Sequence, residues 1–190
     1  QVPQAELYNL YPHNENLPTN IYALSSPFYE MNNIAWECLK KFNNLQTLCL
    51  MGKVSNEGLD HLKDFPKLQN LHLGLVMFTN KEFEKLSQLK FLHGLSLWGE
   101  DIDDDALKNM VNLQSLRILK VHGRKITNIG LKHLAKLPNL ELLDLSFTNI
   151  NEEGFQYLTN MKNLYGLTLR QVPINIPLSE LDIKYLGEIQ

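Results

Sequence analysis

Six times along this chain a leucine is followed three and five residues later by another leucine or a valine, and the step between copies barely changes. The first positions are Leu45, Leu68, Leu92, Leu116, Leu140 and Leu164, spaced by 23 residues once and by 24 thereafter. The later positions keep register: Leu48 and Leu50, Leu71 and Leu73, Leu95 and Leu97, Leu119 and Val121, Leu143 and Leu145, Leu167 and Leu169. Aliphatic residues two apart mark a strand with one apolar face. A period this short holds one strand, a turn and a brief return, and a single such unit cannot bury its own apolar side. The sequence therefore predicts a right-handed α/β solenoid. Its concave face is a parallel sheet of about seven strands, with short helices on the convex side.

The remainder of each repeat supports that architecture. Eleven residues past most anchors stands a good helix N-cap: Thr79, Asp103, Thr127, Asn151 and Asn175, with Ser55 one place early in the shortened first interval. An apolar plug precedes each cap, as Val54, Phe78, Ile102, Ile126, Ile150 and Ile174. Thr79 and Glu82 have capping-box spacing. Beyond the caps, apolar residues three apart (Leu107, Met110 and Leu113, for example) fit short α or 3₁₀ segments packed beneath the strands. An earlier, degenerate unit uses Ile21 and Leu24 as strand anchors, Met31 as plug, Asn32 as cap and Trp36, Leu39 and Phe42 as the buried helix face. The chain thus divides as one domain over 1–190. Residues 1–20 are expected to form an N-terminal cap, 21–177 about seven repeats, and 178–190 a C-terminal cap or the start of a cut-off repeat.

Composition excludes several function classes. No apolar run approaches the roughly 18 residues of a membrane span, so no membrane partner is expected. The net charge of −3, with Lys and Arg scattered among acids, argues against general nucleic-acid binding. The only two cysteines, Cys38 and Cys49, fall on a helical return and a strand, apart in the repeat register, so no disulfide is expected. Sparse cysteine points to a reducing, cytoplasmic compartment. No metal-ligand spacing, glycine-rich phosphate loop or nucleophile elbow occurs, and no cofactor is expected.

These repeats resemble the leucine-rich-repeat superfamily over roughly residues 21–177. The segment ITNIGLKHLAKLPNLELLDLSFTNI (126–150) resembles a short subtype found in bacterial effectors and in substrate-recognition subunits of ubiquitin ligases. Many members carry Asn, Cys or Thr eight residues past the anchor. Here only Thr148 fits, against Val76, Glu100, Arg124 and Val172, so irregular turns or partner contacts are expected there. The resemblance implies a non-enzymatic protein-protein interaction module that is monomeric until it meets its partner. It further implies an effector-type regulator or inhibitor that occludes its target, acting in the host cytosol if it is a bacterial effector. The alternative is a substrate-recognition subunit of a ubiquitin ligase.

In this family binding resides on the concave face. If the anchors point inward, residues four and six beyond them point out. Those rows contain Met51, His72, Trp98, Lys120, His122, Asp144 and Arg170, with Phe147 one residue beyond, and these eight are the candidate partner-binding residues. Trp98 with a charged surround has the composition of an interaction hot spot. A third reading is hydrolysis, by Cys49 with His72 or by His122 with Ser146 and Asp144, because adjacent strands place each pair within reach. A smooth sheet without oxyanion donors opposes it. The acidic run Asp103, Asp104 and Asp105 fits a helix start better than a metal site. His61 and His133 are expected on solvated returns.

Overall fold

Parallel pairing between successive repeats organises the molecule. The computed structural model describes residues 4–6, 21–26, 33–52, 54–74 and 78–173. Among these residues eight strands form one sheet in chain order. They are β1 (Gln4–Glu6), β2 (Ala23–Ser26), β3 (Thr47–Leu50), β4 (Asn70–Leu73), β5 (Gly94–Trp98), β6 (Ile118–His122), β7 (Leu142–Asp144) and β8 (Gly166–Thr168). Seven of them belong to the repeats. The eighth, β1, comes from the segment ahead of them and pairs in register with β2, Gln4 opposite Ala23. Leu48, Leu71, Leu95, Leu119, Leu143 and Leu167 lie opposite one another in an unbroken file.

Helices alternate with strands: α1 (Asn33–Leu39), α2 (Asn56–Asp60), α3 (Asn80–Leu86), α4 (Asp104–Met110) and α5 (Asn128–Leu134). A 3₁₀ turn, His61–Asp64, extends α2, and the sixth return is a 3₁₀ helix throughout, Glu152–Asn160. Between strands and returns lies one continuous core. The leucines of the file from Leu48 to Leu143 are at most 2% exposed, and the plugs Val54, Phe78, Ile102, Ile126 and Ile150 are buried with them. Each fully buried leucine contributes about 1.5–3 kcal/mol relative to water. The fold is a leucine-rich-repeat solenoid, and its strands present their other face outward.

The caps sit where the repeat places them. Ser55 Oγ accepts from Gly58 N (3.1 Å), Asp103 Oδ1 from Ala106 N (2.9 Å), Thr127 Oγ1 from Ile129 N (3.2 Å) and Asn151 Oδ1 from Glu153 N (3.1 Å). Glu82 reaches back to accept from Thr79 N at 2.7 Å. The plugs Met31 and Ile174, the caps Asn32 and Asn175 and the terminal cap 178–190 lie outside the described residues. The expectation for His61 is corrected in part: it is half-buried, with one face stacked on the Trp36 ring, 5.4 Å between centroids.

A second layer of capping crosses between repeats. Asp104 Oδ1 accepts from the amides of Thr127 and Gly130, each at 2.8 Å, and its Oδ2 accepts from Thr127 Oγ1 at 2.6 Å. One repeat later, Asn128 Oδ1 accepts from Asn151 N at 3.1 Å and Asn128 Nδ2 donates to Asn151 Oδ1 at 2.6 Å. This close approach explains Gly130, since a Cβ there would sit 2.5 Å from Asp104 Oδ1. Asp104→Ala should therefore leave two amides at the start of α5 unpaired and cost about 1–2 kcal/mol in urea denaturation. Asp105→Ala, on the exposed side of the same turn, should cost far less.

Candidate protein-binding face

The pairing of β5 with β6 sets Trp98 opposite His122. Side chains at paired positions share a face, and these two rings stack with centroids 5.8 Å apart and planes inclined by 5°. Phe147 completes the group, 5.6 Å from His122 and tilted by 56°. Trp98 and Phe147 remain 43% and 38% exposed. Three aromatic rings thus form a ridge across β5, β6 and the exit of β7.

Phe147 reaches this place through the turn that ends β7. Strand β7 stops at Asp144, whose Oδ1 accepts from Ser146 N (3.0 Å) and Ser146 Oγ (2.6 Å). A side chain bonded two residues on makes an Asx turn, which diverts the backbone from the extended path. Arg170 N then donates to Ser146 Oγ at 3.1 Å, and Phe147 N donates to Arg170 O at 2.7 Å. Phe147 is left with φ of 60°, a left-handed conformation that costs a bulky residue on the order of 1–3 kcal/mol. The two preceding repeats carry Gly99 and Gly123 at the equivalent position without positive φ, whereas the following repeat carries Gln171 there, also left-handed with φ of 53°. Beside them a depression of about 470 Å³ is lined by Gly99, Gly123, His122 and Phe147, with Glu100 and Arg124 among its polar residues.

The other candidates surround this ridge unequally. Lys120 and Arg170 are exposed. Asp144 is half-buried, its Oδ1 lying 3.3 Å from His122 Nε2. That separation suits an electrostatic contact, but the ring N–H does not point at the oxygen, so no hydrogen bond forms. Met51 is half-buried and folds its methyl over Gly74, three strands from His122. His72 is set apart too, its Nδ1 2.9 Å from Ser96 Oγ. The eight therefore divide into one cluster (Trp98, His122, Phe147, Asp144, with Lys120 and Arg170 beside it) and two outliers, Met51 and His72.

The geometry bears on the hydrolytic pairs. Ser146, expected to point out, is 1% exposed, and its hydroxyl donates to Asp144 rather than His122. The Asx turn draws it inward. His72 lies opposite Cys49, yet its Nδ1 is engaged with Ser96. Among the described residues no three His, Cys, Asp or Glu side chains converge as metal ligands, and no helix is long and apolar enough to cross a membrane.

Burial, followed by the charge of Lys120, holds His72 below the ordinary histidine value of 6.5. Burial tends to raise Asp144, but hydrogen bonds from Ser146, with the electrostatic influence of the nearby His122, outweigh it and bring the carboxyl below 3.8. In both cases the unfolded chain binds protons more readily, so stability falls on acidification. The histidine contribution is full above about pH 6.5 and is lost as pH drops through the lower folded value. The aspartate contribution is lost only below about pH 3.8. Urea midpoints should accordingly begin to decline below neutrality, and His72→Gln should make that first limb shallower, the similarly lowered His133 supplying the remainder, while leaving the acid limb intact. An unchanged first limb would assign it to another group.

No family model matches the sequence, and no curated relative matches it. Solved structures do match its shape. An internalin (inlF) of Listeria monocytogenes superposes with a TM-score of 0.62 at 20% identity, covering 90% of this chain. The chain spans 46% of that internalin's length. A second Listeria monocytogenes internalin (inlC2) gives 0.59 at 20% identity, over 90% of this chain and 77% of the other. The Arabidopsis receptor kinase HAESA leucine-rich-repeat ectodomain, solved with an IDA peptide hormone ligand, gives 0.52 at 16% identity, over 81% and 31%. These likenesses show a shared leucine-rich-repeat fold.

Proposed function

We propose that the chain is a protein-binding module whose outward sheet face docks a single protein partner and regulates it by covering part of its surface. The observation that carries this reading is the cluster of Trp98, His122 and Phe147, whose outer rings stay 43% and 38% exposed on the sheet face. Exposed aromatic surface gathered in one place on a sheet face adds nothing to the core and suits contact with another molecule. The depression beside it has no nucleophile with a base aligned upon it, so binding rather than catalysis is favoured. The HAESA ectodomain, solved with a peptide, is an instance of the same fold receiving a polypeptide ligand.

Phe147→Gly provides the test. Glycine adopts positive φ without penalty, so the variant should melt within a few degrees of the parent. Proteins crosslinked to the parent chain should nevertheless be lost from the variant when both are quantified by mass spectrometry. Full retention of every partner by Phe147→Gly, Trp98→Ala and the double variant would overturn the reading.

A further inference from the structure

The charges around the aromatic ridge are unbalanced in a way that specifies the partner. Three exposed cations, Lys120, Arg124 and Arg170, form no ion pair among the described residues, although the whole chain is net negative at −3. Two of the three neighbouring acids are already engaged. Asp101 lies 2.7 Å from Lys125 and Asp144 is held by Ser146, while Glu100 is exposed and forms no ion pair among the described residues, so the cations still outnumber the free acids. Resting on the protein-binding reading above, we propose that the partner presents an acidic segment. One of its aromatic or large aliphatic side chains seats against Trp98 and Phe147, and carboxylates on either side meet Lys120, Arg124 and Arg170.

Dimensions narrow this further. Trp98 on β5 and Arg170 just beyond β8 are three strands apart, roughly 14 Å at 4.8 Å per strand. An extended segment crossing the strands covers that span in about four residues. The preferred segment therefore carries its apolar anchor about four residues from an Asp or Glu. Exposed charges contribute mainly orientation and encounter rate, and they are screened by salt, whereas the aromatic contact is not.

A random-peptide phage library selected on the folded chain tests this, with enriched peptides synthesised and titrated by calorimetry. The expected winners pair an aromatic residue with Asp or Glu at that spacing. Their affinity should fall with added salt, drop about tenfold with Arg170→Glu and again with Lys120→Glu, and vanish with Trp98→Ala. Arg170→Gln should give a smaller loss, and thermal melts of each variant should show that the fold persists. Winners that need Trp98 but are neutral or basic would overturn the acidic inference while leaving the protein-binding function standing. Poly-glutamate binding as tightly as the winners would overturn it as well, because the cations would then serve any polyanion. Absence of any peptide dependent on Trp98 or Phe147 would overturn both.

Discussion

Leu119→Ala is expected to lower stability by about 2–5 kcal/mol, the range for a leucine truncated in a packed core. Leu119 is fully buried and stands in the leucine file between Leu95 and Leu143. Those neighbours cannot readily close the gap, because each is fixed in a strand whose hydrogen bonds run to both sides. For a chain of this size the melting temperature should fall on the order of 10 °C. Loss in a middle unit also weakens two interfaces, so urea unfolding should broaden as well as shift. Leu167→Ala, at the partly buried position of β8, should cost far less. Equal losses at the two sites, or none at Leu119, would contradict the stacked core.

Trp98→Ala should have the opposite profile. The ring is 43% exposed and contributes little to the core, so melting should change by only a few degrees. Binding should weaken by 2 kcal/mol or more, about thirtyfold at least, because large aromatic anchors dominate protein interfaces. Removing Trp98 also strips His122 of its stacking partner and leaves Phe147 as the sole large ring at the ridge. Trp98→Phe should recover part of the loss by restoring a flat surface. Calorimetry with a crosslink-identified partner provides the measurement, and undiminished affinity of Trp98→Ala would place docking elsewhere.

The solenoid was legible because its determinant is periodic. Leu95, Leu119 and Leu143 must share a face if each is one turn of the same coil, and the caps at Asp103, Thr127 and Asn151 mark where each return begins. What escaped was interaction across a repeat boundary. Gly130 and Gly154 stand three residues past a cap, and that recurrence is visible in the sequence, yet its cause is the preceding unit's Asp104 or Asn128. Likewise Trp98 could be placed on the outward face from phase alone. Its stacking on His122 depends on ring rotamers, which spacing does not encode. Ser146 was misplaced because alternation assumes extended backbone, and the Asp144 turn ends the strand before it.

The in-register leucine file has a consequence for how such a surface can change over generations. Since each coil meets the next through the same leucine file, duplicating or excising one whole coil would keep that file continuous, although caps such as Asp104 on Thr127 belong to a single junction. The reach of the molecule can then lengthen or shorten in whole increments of about one strand spacing, and the ring cluster, built from three successive coils, is preserved when the change falls outside β5 to β7.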